Sequence, residues 1–412
     1  MVTSNRRHRV AIIGGGLGGL TAAAFLQREG IDVHVYEQAP KLEEVGAGIN
    51  LDTNATRVLK LLGLDKELMK FAVPLDKVWE FRQWNNGHVL YSEPFDSDFG
   101  SPHVVIHRGD LQNVLKSAIS EESISLGHRC INIEENNDGV EITFENGITV
   151  EADVLIGADG PHSVVRNAVA NPTPKRFRGA IYRSLVPMEL VPPSQRVPDR
   201  TAWLGKRNFF MRYPVSGGKL LNIAAGVSRS KWDHSSSTVE AKVDDFLAEF
   251  ADWDEDVQVM IKACPNTKLW ALYDMPQLDR WSSNRITLLG DAAHFMLPYL
   301  GQGAAQAMED AVVLSGYLKD IKKGNHVSEL LTRYERMRKP RASMVQMMAS
   351  TIWDFIDTPG AEATVDNLPG GDIFNTYKGL FNMHEWLNGY KIEKDIIKFP
   401  EDSQYTEISS VK

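Results

Sequence analysis

The sequence predicts an α/β fold with two lobes, and three observations support this prediction. The chain has 412 residues, of which 43% are hydrophobic, and this is enough for a large core in more than one lobe. A buried strand at 9–13, a glycine-rich turn, a helix at 20–29 and a strand at 32–36 form a βαβ unit at the start. Between about 178 and 268 the chain becomes rich in strands. We therefore expect an open α/β sheet and a second, β-sheet lobe.

Local patterns predict the remaining elements. Period-two alternation, apolar runs and turn residues predict strands at 78–91 (a hairpin turned at 85–87), 130–150, 154–156, 209–227 and 286–290. Apolar residues at helical spacing predict helices at 51–69, 111–119, 238–250, 303–319 and 328–351.

Composition narrows the class of protein. With 45 basic and 54 acidic residues, the net charge is −9, which argues against nucleic acid as the main partner. The two cysteines, Cys130 and Cys264, have no disulfide-framework or metal-ligand spacing and suit a reducing compartment. No run of 18 apolar residues occurs, and glycines break the first apolar segment at once. We expect a cytoplasmic protein, a monomer or homodimer, with no metal and no membrane partner.

The glycine-rich turn predicts a dinucleotide site. Gly14, Gly16 and Gly19 fit the spacing G-x-G-x-x-G between a strand and a helix, and Glu37 follows the second strand. In this context the first glycine makes the turn, the second lets a pyrophosphate approach the backbone, and the third lets helix and strand pack closely. The acid would accept from the ribose hydroxyls. The cofactor could be NAD or FAD, and the presence of a single fingerprint favours FAD.

Two later segments also favour FAD. The segment DVLIGADGPHSVVR at 153–166 leaves a strand at a sharp Asp-Gly bend, which either is plain turn chemistry or lies near the cofactor. The segment LLGDAAHFMLPYLGQGAAQAMED at 288–310 ends a strand at Asp291, where a carboxylate points into the ligand crevice of an α/β sheet. Gly301 and Gly303 then allow close approach, and the following helix offers unpaired N–H groups to an anionic flavin.

Together and in this order, the three motifs resemble those of the single-component flavoprotein aromatic hydroxylases over nearly the whole chain. Within that family the likeness is to salicylate, 3-hydroxybenzoate and 6-hydroxynicotinate hydroxylases, through GAGINLDTNA at 46–55, VIHRGDL at 105–111, LWALYD at 269–274 and WLNGY at 386–390. The resemblance implies a Rossmann-like FAD-binding domain, similar to that of p-hydroxybenzoate hydroxylase, with an interleaved β-sheet substrate domain and C-terminal helices. The implied ranges are 1–75, 98–177 and 268–345 for the first domain, 76–97 and 178–267 for the second, and 346–412 for the C-terminal segment.

The resemblance also implies a role for individual cofactor-binding residues. The pyrophosphate would lie on Gly14, Gly16 and Gly18, the ribose on Glu37 with Gln38 nearby, and the phosphate or ribityl chain beside Arg108. The backbone of Cys130 would lie by the adenine. Asp291 would hold ribityl or pyrophosphate oxygens, and Gly303 and Ala304 would donate backbone N–H groups to the flavin ring.

The implied reaction is a monooxygenation. NADH or NADPH, bound transiently, would reduce FAD, and O₂ would then form a flavin C4a-hydroperoxide. This electrophilic oxidant would hydroxylate a small electron-rich aromatic or N-heteroaromatic acid, such as 6-hydroxynicotinate, salicylate or a hydroxybenzoate, with or without decarboxylation. A base that removes the ring hydroxyl's proton would raise the nucleophilicity of the attacked carbon.

Substrate-side candidates come from one strand and two loops. Alternation in FFMRY places Phe209, Met211 and Tyr213 on one face, and the resemblance makes Tyr213 the candidate for binding or polarising the ring hydroxyl. The alternative is that Tyr213 is a core tyrosine with a satisfied hydroxyl. Pro298 would border the reacting edge of the flavin, and Asn50 is a further catalytic candidate.

Several sequence features bear on the choice of base and of carboxylate ligand. Relatives often carry a histidine at the position matching Phe209, and the hydroxynicotinate enzyme carries one at the position matching Asn50. Neither histidine is present here, so an imidazole base is excluded at both positions. Arg212 is a candidate for the substrate carboxylate, although alternation points it to the opposite face. His294 is interpreted as holding its loop.

Two classes of alternative stay open. One is a flavin monooxygenase for a larger polycyclic, tetracycline-like substrate. The other is a non-catalytic flavin-binding protein, such as a sensor or redox partner.

Overall fold

The computed structural model describes residues 7–42, 47–75, 77–94, 99–171, 174–205, 207–323, 326–357 and 385–393. The strands are β1 Arg7–Ile13, β2 Val33–Tyr36, β3 Gly48–Leu51, β4 Val73–Pro74, β5 Lys77–Gln83, β6 Val89–Pro94, β7 Val104–His107, β8 Ile124–Ser125, β9 Cys130–Glu135, β10 Val140–Phe144, β11 Thr149–Gly157, β12 Arg176–Pro187, β13 Thr201–Gly205, β14 Asn208–Val215, β15 Leu220–Val227, β16 Thr238–Ala241, β17 Thr267–Asp274 and β18 Ile286–Leu288. The α-helices are α1 Leu17–Arg28, α2 Thr53–Leu61, α3 Asp65–Leu68, α4 Arg108–Lys116, α5 Val165–Val169, α6 Val243–Glu249, α7 Glu255–Lys262, α8 Asp291–His294, α9 Gly303–Leu318 and α10 Val327–Asp357.

The first sheet contains the predicted βαβ unit. Its strand order is β8-β2-β1-β11-β10-β9, and β18 pairs with the C-terminal part of β11. The pairs of β1 with β2 and β11 are parallel, whereas β10 pairs antiparallel with β11 and β9. The apolar run Val10, Ala11 and Ile12 in β1 is completely buried, as is typical of a parallel strand covered on both faces. Helix α1 packs against α9, so the first and third motifs meet.

The second sheet has eight strands in the order β16-β17-β12-β15-β14-β13-β5-β6. Only β13 and β5 pair in parallel among these strands. One face carries Tyr182, Trp203 and Phe210, which form an apolar cluster with α6 and α7. Because successive strand residues point to opposite faces, Phe209 and Met211 face the other way, into a cavity between the two sheets. A third sheet, β3-β7-β4, lies beside β14.

Two predicted helices are wrong in part. The segment 238–250 begins as strand β16, which pairs antiparallel with β17, and its helix starts only at Val243. The segment 51–69 is not one helix, because Leu51 ends β3 and Gly63 separates α2 from α3. Gly63 has φ +76°, and its amide donates to the Lys60 carbonyl at 3.0 Å, which is a helix-ending conformation that glycine favours.

The other predicted elements are present with shifted ends. The strand predicted at 154–156 is the second half of β11, which pairs with β10 first and with β1 afterwards. The hairpin of β5 and β6 turns at Gly87, with φ +66°. The predicted domain ranges stay a prediction; the boundary at 268 falls inside β17 of the eight-stranded sheet. Much of the predicted C-terminal segment lies outside the described residues. Among the described helices, none is both long and apolar enough to cross a membrane.

Candidate active site

A cavity of about 1490 Å³ lies between the two sheets. Small-molecule pockets are typically about 300–1,000 Å³, so this cavity exceeds the space that one small ligand needs. The glycine turn, the start of α9, the 295–301 loop and the inner face of the eight-stranded sheet all line it. The cavity is therefore large enough for a dinucleotide together with a small second ligand.

The glycine turn has the geometry that the sequence predicts. Gly14 has φ +109°, and a Cβ there would lie 2.3 Å from the Ala158 carbonyl oxygen. A Cβ on Gly19 would lie 2.0 Å from the Gly14 oxygen, so this glycine permits the close contact of helix and strand. Gly16 has no neighbouring atom within 4 Å of its Cβ position. Gly18 packs against Leu289 and also lines the cavity.

The far end of the cavity is built around the acid after β2. Glu37 accepts hydrogen bonds from the amides of Gly15 at 2.6 Å and Ala39 at 2.8 Å. Gln112, which sequence reasoning missed, donates to the Gly15 carbonyl at 2.9 Å. It stands four residues after the predicted Arg108 on α4, and this helical spacing is the signal that could have found it. Burial, then Asp159, raises the pKa of the Cys130 thiol to about 12, so the thiol is neutral.

The Asp-Gly bend is held by its own aspartate. Asp159 accepts from the Ser163 hydroxyl at 2.5 Å and from the amides of Val164 and Val165 at 2.7 and 3.2 Å. Burial raises the pKa of Asp159, and these hydrogen bonds oppose the rise. Asp159 thereby fixes the bend between β11 and α5 at the cavity wall.

Arg166 joins the second motif to the third. Its guanidinium donates to the carbonyls of Asp291 at 2.8 Å and Ala292 at 2.7 Å, and to those of Gly160 and Pro161 at 3.2 Å. Four carbonyl acceptors around one buried cation hold the two loops in register. The sequence places Arg166 in the right motif but gives no sign of this contact.

The start of α9 opens onto the cavity. Gly303 and Ala304 line it, and the N-cap residue Gln302 makes no side-chain capping bond to the helix. The nearest atom to a Cβ built on Gly303 is Asp291 Oδ1, at 3.9 Å. The unpaired first-turn N–H groups and the positive end of the helix dipole therefore face the cavity, beside the Asp291 carboxylate.

A buried ion network anchors α9 to α10. Arg338 donates to Glu309 at 2.7 Å and to Asp310 at 2.8 Å, and Arg341 donates to Glu309 at 2.8 Å. His294 lies 2.6 Å from Asp310 and is 1% exposed, which confirms that it holds its loop. Burial opposes the charge of both acids, but Arg341 and Arg338 hold the pKa of Glu309 below its usual range, and His294 and Arg338 do so for Asp310. These residues give the acidic end of the third motif a structural role.

The network continues to the cavity wall through neutral amides. Asn54 donates to Glu309 at 2.7 Å and to Gln302 at 3.0 Å, and Gln302 donates to Asp52 at 3.1 Å. Asp52 lines the cavity and lies 3.1 Å from His103. Sequence reasoning missed this chain of contacts, because it joins residues as far as 255 positions apart.

The substrate-side face of β14 has the predicted alternation. Phe209, Met211 and Tyr213 line the cavity, whereas Arg212 points away and donates to the carbonyls of Val197 and Asp199. Arg212 is therefore not a ligand in this cavity, and its candidacy for a substrate carboxylate is wrong. The reason is the period of the strand, which sends neighbouring side chains to opposite faces.

Tyr213 and Asn50 meet at the third sheet. The Tyr213 hydroxyl donates to the Gly48 carbonyl at 2.7 Å, and burial raises the pKa of Tyr213 to about 12. Asn50, two residues along β3, is buried, and its Nδ2 has no hydrogen-bond acceptor among the described residues. Gly301, with φ +63°, brings its backbone against this amide, because a Cβ there would lie 2.4 Å from Asn50 Nδ2.

Apart from Arg212, the predicted cofactor-binding and catalytic candidates line this cavity: Gly14, Gly16, Gly18, Glu37, Gln38, Asn50, Arg108, Cys130, Tyr213, Asp291, Pro298, Gly303 and Ala304. Pro298 begins a 3₁₀ turn, Pro298–Leu300, in the loop that faces the sheet. The described residues contain no cluster of three or more His, Cys, Asp or Glu suited to a metal ion.

Comparison with known proteins identifies the family. A family model described as an FAD binding domain matches residues 7–349. The chain is 38% identical over 366 residues to a 3-amino-4-hydroxybenzoate 2-monooxygenase of Streptomyces cremeus, covering 87% of this chain and 91% of that protein. It is 34% identical over 349 residues to a 6-hydroxynicotinate 3-monooxygenase of Pseudomonas fluorescens, covering 83% and 90%. A solved substrate complex of salicylate hydroxylase matches with a TM-score of 0.81 at 26% identity, covering 98% and 100%.

The cavity fits the cofactor of this family. Gly16 leaves space where a phosphate would approach, and the start of α9 presents unpaired N–H groups. The resemblance seen in the sequence, the p-hydroxybenzoate hydroxylase-like fold and FAD as the cofactor are thus confirmed. The chain belongs to the family of single-component FAD-dependent aromatic hydroxylases and is an aromatic monooxygenase.

Proposed function

We propose that this enzyme hydroxylates a one-ring hydroxylated aromatic or N-heteroaromatic acid, using NADH or NADPH and O₂. The cavity carries this proposal, because one continuous space joins the dinucleotide turn to an aromatic and apolar sheet face. The relatives described above are named for 3-amino-4-hydroxybenzoate and 6-hydroxynicotinate, and both of these are hydroxylated ring acids.

Bound FAD would take electrons from NADH or NADPH and use them to activate O₂, which is the oxidant. In the balanced reaction, a ring C–H, O₂, reduced nicotinamide and a proton give a ring C–OH, water and oxidised nicotinamide. Where the ring carboxylate is the group replaced, it leaves as CO₂ and a second proton is consumed. The chain's own residues hold the ring and exclude water. Apolar residues on both walls serve this purpose, notably Phe209, Leu272, Met296 and Leu297.

The ring hydroxyl would bind between Tyr213 and Asn50. Because the Tyr213 hydrogen is donated to Gly48, the hydroxyl oxygen is left to accept a hydrogen bond from the substrate. Its raised pKa keeps Tyr213 protonated at neutral pH, so it would orient the substrate and not act as a base. Asn50 Nδ2 would donate to the ring oxygen and stabilise negative charge there during attack, which would satisfy a buried donor.

The cofactor would lie along the opposite wall. We place its adenosine ribose at Glu37 and Gln38, its adenine beside Cys130 and its pyrophosphate at Gly14, Gly16 and Gly18. Arg108 and Asp291 would hold the ribityl and phosphate oxygens, and the backbone of Gly303 and Ala304 would donate to the flavin ring. Pro298 would border the reacting edge.

The test is a substrate panel on the purified holoenzyme: salicylate, 3-hydroxybenzoate, 3-amino-4-hydroxybenzoate, 6-hydroxynicotinate and tetracycline. We expect one or more of the ring acids to stimulate NADH or NADPH oxidation at least 10-fold and to yield a product with one added oxygen. Stimulation by tetracycline alone would replace the one-ring proposal with the polycyclic one. A flavin-loaded protein that oxidises neither nicotinamide with any compound would refute catalysis on such substrates.

A further inference from the structure

Arg183 faces the cavity from the strand next to the predicted substrate face. On β12, Tyr182 points outward, where its hydroxyl donates to Glu249 at 2.8 Å, and Arg183 points inward. In the sheet register, Arg183 pairs with Ala224 and Ala224 pairs with Met211. Arg183 therefore lies in the same cross-strand row as Met211, two strands away or about 10 Å. The small side chain between them leaves room for a ring.

The charge of Arg183 has no counter-ion among the described residues. The structure pairs its guanidinium with no carboxylate, and the contact it makes is with the Trp270 ring, 5.9 Å from the ring centroid. Burial lowers the pKa of Arg183, and the ionisable groups that act on it are Tyr213 and Arg108, neither of which is an anion. An unpaired cation in such a place is costly unless a ligand supplies the opposite charge.

Three other arginines, all of them buried, are held by protein acceptors. Arg212 donates to two backbone carbonyls, Arg166 donates to four, and Arg338 binds two carboxylates. Arg183 differs from them in facing the cavity without such acceptors. Its planar fork matches a carboxylate in a two-point contact, which a lysine cannot reproduce.

We propose that Arg183 binds the carboxylate of the ring acid and thereby selects acids as substrates. This inference rests on the proposed function. With the carboxylate on Arg183, the ring would lie over Ala224, and its hydroxyl edge would point toward Tyr213, which is two residues from Met211 on β14. Arg183 takes the role for which Arg212 was the candidate from sequence. The side chain of Arg183 points into the cavity, whereas that of Arg212 points to the opposite face of the sheet.

The alternative is that the Arg183 guanidinium binds an anionic group of the cofactor. The following experiment distinguishes a substrate carboxylate from a cofactor anion as its partner. Arg183→Met, Arg183→Lys and the control Arg229→Met would be prepared as holoenzymes. Arg229 lies on the surface, 39% exposed, in an ion pair with Glu249. The ligands would be the ring acid that best stimulates the wild-type enzyme and its carboxamide. Dissociation constants would come from perturbation of the flavin spectrum, and the ratio of FAD to protein from absorbance.

For Arg183→Met we expect the dissociation constant of the acid to rise about 10- to 100-fold, as for a lost charge-assisted contact. The dissociation constant of the carboxamide should change less than 3-fold, and the FAD content should be retained. Arg183→Lys should recover part of the affinity, and Arg229→Met should match the wild type. An equal loss of affinity for the acid and for its carboxamide, or loss of FAD from Arg183→Met, would overturn the inference. A wild type that turns over ring acids while Arg183→Met binds them unchanged refutes only the role of Arg183; a wild type that turns over none refutes the proposed function as well.

Discussion

Replacing Arg338 with methionine tests whether the buried ion network holds the flavin side of the molecule together. Arg338 is completely buried between α9 and α10 and donates to Glu309, Asp310 and Gln306. Methionine retains much of the apolar stem but removes every donor. The substitution therefore leaves two buried carboxylates short of a partner, directly after the helix turn that faces the cavity.

The expected loss of folding stability depends on the contacts that Glu309 and Asp310 retain. Breaking a buried ion pair by removing one partner costs about 3–5 kcal/mol. Glu309 keeps Arg341 at 2.8 Å, and Asp310 keeps His294 at 2.6 Å and the Gly290 amide at 3.0 Å. Because each acid keeps at least one partner, we expect a loss of stability at the lower end of this range, about 3 kcal/mol. Folded proteins are typically stable by about 5–15 kcal/mol, so this loss is large.

The measurement is guanidinium unfolding of the holoprotein, followed by far-UV circular dichroism and by flavin fluorescence. Arg333→Met is the matched control: Arg333 lies on the same helix, 44% exposed, in an ion pair with Glu329. Exposed pairs contribute about 0–1 kcal/mol, so this variant should differ little from the wild type. Adding Glu309→Gln to Arg338→Met should restore part of the lost stability, because it reduces the excess of buried negative charge by one. An Arg338→Met protein as stable as Arg333→Met would contradict the reasoning.

Three further predictions concern the cofactor, the substrate and pH. Asp291→Ala should lose most of its bound FAD on purification, whereas the exposed Asp233→Ala should keep it; full retention would show that Asp291 is not a cofactor ligand. Tyr213→Phe leaves the buried Gly48 carbonyl without the donor that Tyr213 provides, so we expect the free energy of unfolding to fall by about 1–3 kcal/mol and KM to rise. An unchanged KM, with unchanged coupling of NAD(P)H oxidation to hydroxylation, would remove Tyr213 from the mechanism. Because the folded-state pKa of Glu309 and of Asp310 is lowered, their stabilisation is full above the unfolded pKa values, from about pH 5 upward, and is lost as pH falls through the folded values. Unfolding at a series of acidic pH values should therefore show a shallower decline for Glu309→Gln than for wild type, and equal slopes would contradict this.

The cofactor half of the site could be predicted from the sequence because its chemistry is local. The spacing of the three glycines predicts a tight turn at Gly14, an open approach to the backbone at Gly16 and close helix–strand packing at Gly19. Each of these features depends only on residues that are near one another in the sequence. Alternation in FFMRY likewise set which side chains of β14 face inward. Errors arose where the local pattern is ambiguous, as at Thr238: its segment is predicted to be helical, but it forms the edge strand β16 and pairs with β17.

The substrate half was decided by tertiary structure. Only the pairing of β12 with β15, and of β15 with β14, shows that Arg183 shares a row with Met211. Tyr213 and Gly48 are 165 positions apart, so the partner of the hydroxyl depends on how two sheets meet. The acids of the third motif, Glu309 and Asp310, find their arginines on another helix. Spacing along a chain determines turns, caps and the faces of single elements; which charge meets which depends on contacts between distant elements, and these exist only in the folded molecule.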